Sequence, residues 1–224
     1  MSTSGQQDGA PRERGAQLRD RPSIDRTMAA ARPWRTRSVE TLPGSALPEL
    51  QVLSQQLVTE LVQAGRMVAV AESCSAGALA NSLSKAEGAG DALIGGFVTY
   101  MPAAKVQILG VPPVLIENHS AVSAPVARAM ADGVLAGTAA DLAIAITGVT
   151  GPVPDDRGNP RGRVHIAAAT RLGYGIECHC EFGAFPPPVL LDAALRIALA
   201  TAAETLKDSG PVQTFSETAR EIGR

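Results

Sequence analysis

The sequence predicts a three-layer α/β/α sandwich built on a mixed, mostly parallel central sheet. Three observations carry that prediction. Helix-period segments alternate with short apolar runs between Leu50 and Thr147, the pattern of chains that build parallel sheets. Two later runs, Val164 to Thr170 and Gly175 to Phe182, are joined through Leu172-Gly173 and read as an antiparallel hairpin. The run Val68-Ala69-Val70-Ala71 stops abruptly on small and nucleophilic residues, Glu72-Ser73-Cys74-Ser75-Ala76-Gly77, at the kind of strand end where open α/β sheets bind ligands.

The elements follow in order. Residues 1–45 are rich in Arg, Ser, Gly and Pro, with no apolar period, and read as a disordered leader. Its arginines are partly interleaved with acids, which suits a solvated tail better than a basic arm for nucleic acid or membrane. Met28 offers an alternative start. The folded part, 46–208, opens with a helix on Leu50, Leu53, Leu57, Leu61 and Val62, ended by Gly65. Met67 to Ala71 is a buried strand, Ala76 to Ser84 a helix, Glu87 to Gly90 a loop, and Leu93 to Tyr100 a second strand. Ala103 to Leu109 is a short helix, and Pro112-Pro113 opens a turn to Glu117. Ser123 is the expected N-cap of a helix to Ala136, with Pro125 in its first turn. Leu142 to Thr147 is continuous and apolar, as a central strand should be. A Gly/Pro/Asp loop fills 149–162. After the hairpin, Ala193, Ile197 and Ala200 mark the apolar face of a closing helix, Leu190 to Leu206. Residues 209–224 read as a flexible tail.

Composition narrows the function classes. The chain has 224 residues and a net charge of −2, so no global charge points to nucleic acid. Three cysteines give no even disulfide framework and fit a cytoplasmic setting. No apolar run reaches the roughly 18 residues that cross a membrane. Cys178 and Cys180 would share one face of a strand while His179 faces the other. With no second pair at metal spacing, no metal site is assigned. No P-loop or G-x-G-x-x-G pattern is present, and no cofactor is implied.

Ser73 and Lys105 are the leading candidates for chemistry. A serine hydroxyl needs a base within hydrogen-bond reach, and no histidine lies in the motifs around Ser73. His119 and His165 are isolated in sequence, and His179 falls in a late strand. Lys105 has apolar flanks, Ala103, Ala104 and Val106, which would lower its pKa towards a base's range; a surface lysine on a short helix is the plainer alternative. Tyr100 ends a strand beside the site, where it either serves the serine or simply packs. Cys74 is a rival nucleophile, with Glu72 and Lys105 the remaining types of a Glu-Lys-Cys amidase. Backbone amides from Cys74 to Gly77 suggest an oxyanion hole. Thr147-Gly148 and Thr150-Gly151 end the central strand as a tight turn or as a place where ligand meets backbone.

Glu72 to Gly77, Gly96 to Tyr100 with Ala104-Lys105, His119 to Ser123, and Thr147 to Pro152 occur in order and at characteristic spacing. Together they resemble the nicotinamide-nucleotide amidohydrolase family, also found as the C-terminal domain of the competence/damage-inducible protein CinA. The resemblance covers roughly Pro48 to Lys207. It implies that Ser73, Lys105 and Tyr100 are catalytic. It places substrate against Glu72, Cys74, Ser75, Ala76, Gly77, Thr147, Gly148, Thr150 and Gly151. It also implies a small-molecule nucleotide substrate, nicotinamide mononucleotide, and a homo-oligomer, with no nucleic-acid or membrane partner.

Four stretches depart from the family pattern. Ala76 stands where glycine is usual, adding a methyl where substrate would pass. Met101-Pro102-Ala103 replaces Ser-Asn-Glu. Val153-Pro154-Asp155-Asp156-Arg157 replaces a glycine-rich loop. Gly183 to Pro188 lacks the usual Gly-Asp-Arg, leaving Arg161 or Arg163 to compensate. These departures keep two alternatives open: a catalytically weak paralogue that binds a nucleotide or protein, and an amidase for another small amide.

Overall fold

The computed structural model describes residues 32–209. The described strands are β1 (Trp34–Val39), β2 (Val68–Glu72), β3 (Leu93–Val98), β4 (Leu142–Gly148), β5 (Arg163–Thr170) and β6 (Gly175–Glu181). The described helices are α1 (Leu50–Gln63), α2 (Ala78–Ser84), α3 (Ala89–Ala92), α4 (Pro102–Leu109), α5 (Pro113–His119), α6 (Ala124–Gly137) and α7 (Pro187–Asp208). The strands form one sheet in the order β1-β6-β5-β4-β2-β3, in which β5 alone runs against the others. The mixed, mostly parallel α/β sandwich expected from the sequence is the fold observed.

The two faces of the sheet differ in side-chain size. Successive strand residues point to opposite faces. Val68, Val70, Leu142, Ile144, Ile146 and Ile166 share one core with α1 and α7. Each large side chain fully buried there contributes roughly 1.5–3 kcal/mol. The opposite face is lined by Ala69, Ala71, Ala143, Ala145, Ala167 and Ala169, against α6. These small side chains let the helix lie close. The last turn of α4 packs as tightly: a Cβ on Gly133 of α6 would come 2.1 Å from the Leu109 carbonyl oxygen. That contact seats α4 under the sheet edge and carries Lys105 inward.

From β2 the chain crosses to β3 on one side and returns to β4 on the other. The reversal leaves a crevice beyond the carboxyl ends of β2 and β4, the place where open α/β sheets take ligands.

Local differences from the expected elements have physical causes. Residues 34–39, expected in the leader, form β1 and pair in parallel with β6. Val39 and Trp34 at its ends pack against the two cores, and ions hold its exposed middle: Arg35 pairs with Asp208 at 2.7 Å and with Glu204, and Arg37 also pairs with Glu204. Arg196 of α7 ties down the following segment by donating to the carbonyls of Gly44, Leu47 and Pro48. The rest of the proposed leader lies outside the described residues, apart from Arg32, Pro33 and Glu40–Ser45. Most of the tail also lies outside them. Part of the expected loop at Glu87–Gly90 belongs to the single-turn α3. Gly65 does close α1, adopting φ +61°. There the amide of Arg66 donates to Leu61 O, and that of Gly65 to Val62 O. Ser123 precedes α6 but does not cap it through its side chain; its hydroxyl donates instead to Ser120 O at 2.9 Å.

Candidate active site

β2 ends on Glu72, and the chain turns through Ser73 to Gly77 into α2. Glu72 is fully buried. Its Oε2 accepts the amides of Gly77 and Leu79, both at 3.0 Å, and its Oε1 accepts that of Ala80 at 2.8 Å. A carboxylate thus satisfies three donors that the first turn of a helix leaves without intrahelical partners. Glu72 therefore lies under the helix and is not among the residues that line the cleft beside Ser73.

Ser73 sits at the top of β2 and donates its backbone amide to Ile146 O at 3.0 Å. Lys105, 1% exposed, reaches it from α4. Its Nζ lies 2.8 Å from Ser73 Oγ, 2.7 Å from Thr99 O and 3.3 Å from Tyr100 O. Carbonyl oxygens can only accept, so a neutral amine gives both N–H bonds to Thr99 O and Tyr100 O. Its lone pair then faces the serine hydroxyl, the one contact able to donate. Burial lowers Lys105 to about 8, only partly offset by Cys74. None of its hydrogen-bond partners is a carboxylate.

Ser73 and Lys105 open on a cleft of about 680 Å³. The structure brings Cys74, Tyr100, Thr147, Gly148, Thr150 and Gly151 to the same cleft. Each arrives differently from the sequence expectation. Burial pushes the Cys74 thiol up to about 12, so it is protonated at neutral pH and a poor nucleophile. Tyr100 is 68% exposed and touches Lys105 through its backbone carbonyl. Thr147 Oγ1 donates to Ala121 O at 2.8 Å, and Thr150 Oγ1 to Cys74 O at 3.3 Å. These threonines pin the cleft walls. Gly148 is small because of β5: a Cβ there would lie 2.7 Å from Arg163 O. Gly151 has open space around its Cα, so it alone of the pair offers free backbone to a ligand.

Ser75, Ala76 and Gly77 do not line the cleft. The amide of Ala76 donates to Ser73 O, and that of Gly77 to Glu72. Two of the amides expected to hold an oxyanion are therefore engaged. Those of Cys74 and Ser75 donate to no other residue among the described residues, the Cys74 amide facing its own thiol, and of the two residues only Cys74 borders the cleft. Ala76 is exposed, at φ +49°, a left-handed conformation costing an alanine about 1–2 kcal/mol. Backbone conformation, not passage of substrate, is what a glycine at this position would serve.

Several contributions went unread in the sequence. His165 and His179, far apart in the chain, meet with ring centroids 4.5 Å apart because β5 and β6 pair them directly. Burial, and then the neighbouring His179 and Arg163, lower His165 to about 4. Cys178 and Cys180 do share a face, with sulfurs 3.8 Å apart. Among the described residues no group of three His, Cys, Asp or Glu side chains is placed to hold a metal ion. Ser120 and the Asp155–Asn159 turn form the cleft's outer wall. Ser120 has φ +72° and ψ 155°, a region favoured by glycine that costs other residues about 1–3 kcal/mol. The sequence marks 149–162 as a Gly/Pro/Asp loop, and the Asp/Gly/Asn composition of 155–159 is the turn signal within it. Arg161 and Arg163, the two candidates to replace a missing arginine, are held elsewhere: Arg161 by Phe185 O, Arg163 by Glu181 at 2.6 Å and Asn159 at 3.2 Å.

A buried serine–lysine pair thus lies at the switch point of a three-layer α/β sheet and opens on a cleft. The chain belongs to the CinA C-terminal domain family, whose model matches residues 50–206. It is 51% identical over 108 residues to a CinA-like protein of Mycobacterium avium, a match covering 48% of this chain and 25% of that protein. A CinA-like protein of Mycobacterium tuberculosis is 50% identical over 109 residues, with 49% and 25% covered. The chain thus matches about a quarter of the length of these curated relatives. Among solved structures, the competence/damage inducible protein CihA of Agrobacterium tumefaciens superposes with a TM-score of 0.68 at 32% identity, covering 70% of this chain and 96% of that one. A CinA superfamily protein of Escherichia coli gives 0.66 at 35% identity, covering 69% and 89%.

Proposed function

We propose that the chain hydrolyses the carboxamide of nicotinamide mononucleotide, giving nicotinate mononucleotide and ammonia, in pyridine-nucleotide recycling. The observation that carries this reading is the Lys105 amine, 2.8 Å from Ser73 Oγ, with only carbonyls as its other partners. Membership of a family that includes nicotinamide mononucleotide amidohydrolases supplies the substrate.

Neutral Lys105 takes the proton of Ser73 as Oγ attacks the carboxamide carbon. The carbonyl oxygen becomes an oxyanion, and in this reading the amide of Cys74, the residue after the nucleophile and part of the cleft lining, turns from its own thiol to receive it. As the intermediate collapses, the C–N bond breaks and the Lys105 ammonium returns its proton to the departing nitrogen, releasing ammonia. Water then attacks the acyl-Ser73 carbonyl, with Lys105 again taking the proton, and Ser73 is regenerated with release of the nicotinate product. Nothing in this series of steps calls on a metal ion or an organic cofactor. The departure at Met101-Pro102 is compatible with it, since Pro102 occupies the first turn of α4, where proline is favoured, and Lys105 keeps its place.

The test is ammonia release from nicotinamide mononucleotide by the wild-type chain, beside Ser73→Ala, Cys74→Ala and Lys105→Met. Loss in Ser73→Ala and Lys105→Met with Cys74→Ala active is the expected result. Loss only in Cys74→Ala would move the nucleophile. Binding of the mononucleotide without turnover would favour the weak-paralogue alternative, and release only from other amides the alternative substrate.

A further inference from the structure

Ser120 combines backbone strain with a hydroxyl that is only half used. Its Oγ accepts the amide of Val122 at 3.2 Å and Asn159 Nδ2 at 2.9 Å. The orientation of the Asn159 amide is fixed by chemistry: Arg163 can only donate to its Oδ1, at 3.2 Å, and Asp155 Oδ2 can only accept from its Nδ2, at 2.7 Å. With two donors on its oxygen, Ser120 has one capacity left, its O–H proton. That proton has no acceptor among the described residues, and Ser120 borders the cleft. Strained residues of this kind concentrate where a ligand is held.

Asn159 also ties Ser120 to a charged turn. Asp155 Oδ1 accepts the amides of Arg157 at 3.0 Å and Asn159 at 2.8 Å. With the Asn159 side chain on its Oδ2, the Asp155 carboxylate is compensated by three N–H donors. The Arg157 side chain borders the same cleft, exposed and without a hydrogen-bond partner among the described residues. Asp156 is the opposing charge on this rim.

We infer that Ser120 and Arg157 form an anion subsite at the mouth of the cleft, which takes a phosphate monoester carried by the substrate. Ser120 offers one pre-set O–H donor, and Arg157 a free guanidinium able to grip two phosphate oxygens. The subsite supplies the anion contact that neither Arg161 nor Arg163 is free to make. It rests on the reading of this cleft as the substrate site, and it predicts a phosphorylated substrate in preference to the free amide.

Ribose 5-phosphate tests the subsite apart from the chemistry, because it carries the phosphate monoester and no amide. Binding would be titrated calorimetrically to the wild-type chain and to Ser120→Gly, Arg157→Ala and, as a charge control away from the cleft, Lys207→Ala. Glycine suits the Ser120 backbone and Arg157 is exposed, so both variants should fold; melting curves check this. The expected result is binding of ribose 5-phosphate but not ribose, weakened about tenfold in Ser120→Gly and in Arg157→Ala, and unchanged in Lys207→Ala. Absence of binding, equal binding of ribose, or equal affinity in Ser120→Gly and wild type would overturn the subsite. Ammonia release from nicotinamide mononucleotide is read separately. Phosphate-dependent binding without ammonia release would leave the subsite standing and remove the amidase reading. Ammonia release with indifferent variants would do the reverse.

Discussion

Glu72 and Lys105 are both buried beside Ser73, and the protein satisfies them in opposite ways. Glu72 receives three backbone N–H bonds at the start of α2, which suit a full negative charge. Lys105 receives two carbonyl oxygens and a hydroxyl, which suit a neutral amine as well as a charged one. Neither has a charged hydrogen-bond partner, yet only one is compensated by a helix end. The contrast separates a charge that builds the turn from a base that the turn presents.

The largest expected effect falls on the base. Lys105→Met keeps the length and removes the amine, so turnover should drop by about 10²–10⁴ with the fold intact. Equal circular dichroism spectra and melting curves for the variant and the wild-type chain would locate the loss in chemistry. If Lys105→Met retained most activity, the division of labour between the two buried groups would be wrong.

Glu72→Gln should show the converse. A glutamine offers one acceptor oxygen and turns an NH₂ towards amide donors, so stability should fall by about 2–4 kcal/mol. Melting temperature reads that loss, while turnover per folded molecule should stay within a few-fold. Lost turnover with an unchanged melting temperature would place Glu72 in the chemistry.

Acidity sharpens the comparison further. With Lys105 near 8, only about a tenth is neutral at pH 7, so kcat/KM should rise about tenfold per unit below pH 8 and level off above it. Stability follows the same group. Its folded pKa lies below the unfolded value of 10.5, so between about 8 and 10.5 the unfolded chain binds more protons and stability rises with pH. Below 8 both states are protonated and the contribution is absent. Lys105→Met should flatten that slope relative to wild type in melting curves taken across the window.

These contrasts bear on what a sequence discloses. The continuous apolar runs Val68 to Ala71 and Leu142 to Thr147 were legible because a strand buried on both faces carries no polar positions, and they placed the strand ends to within one residue, β2 ending at Glu72 and β4 at Gly148. Ser73 and Lys105 could be paired because each stands at a recognisable strand end or helix start. β1 was hidden because an edge strand held by Arg35 and Arg37 against the acids of α7 has no apolar period. The work of Glu72 was hidden because its partners, the amides of Gly77, Leu79 and Ala80, have no side-chain signature. The wall at Ser120 and Asn159 depends on two loops meeting across 39 residues, which no local pattern records.

The smallest effect concerns the turn itself. Ala76 holds φ +49° on the turn that links Ser73 to the donors of Glu72. Ala76→Gly relieves the left-handed strain but gives the unfolded chain more freedom. A net gain of about 0.5–1 kcal/mol follows, read as a rise of a few degrees in melting temperature. Because Ala76 does not line the cleft, turnover should stay close to wild type. Higher stability with equal turnover would show that the turn constrains Glu72's helix without tuning Ser73. Altered turnover would mean that the strain at Ala76 is transmitted to the nucleophile three residues earlier, and the separation between the building charge and the reacting base would have to be redrawn through the turn that joins them.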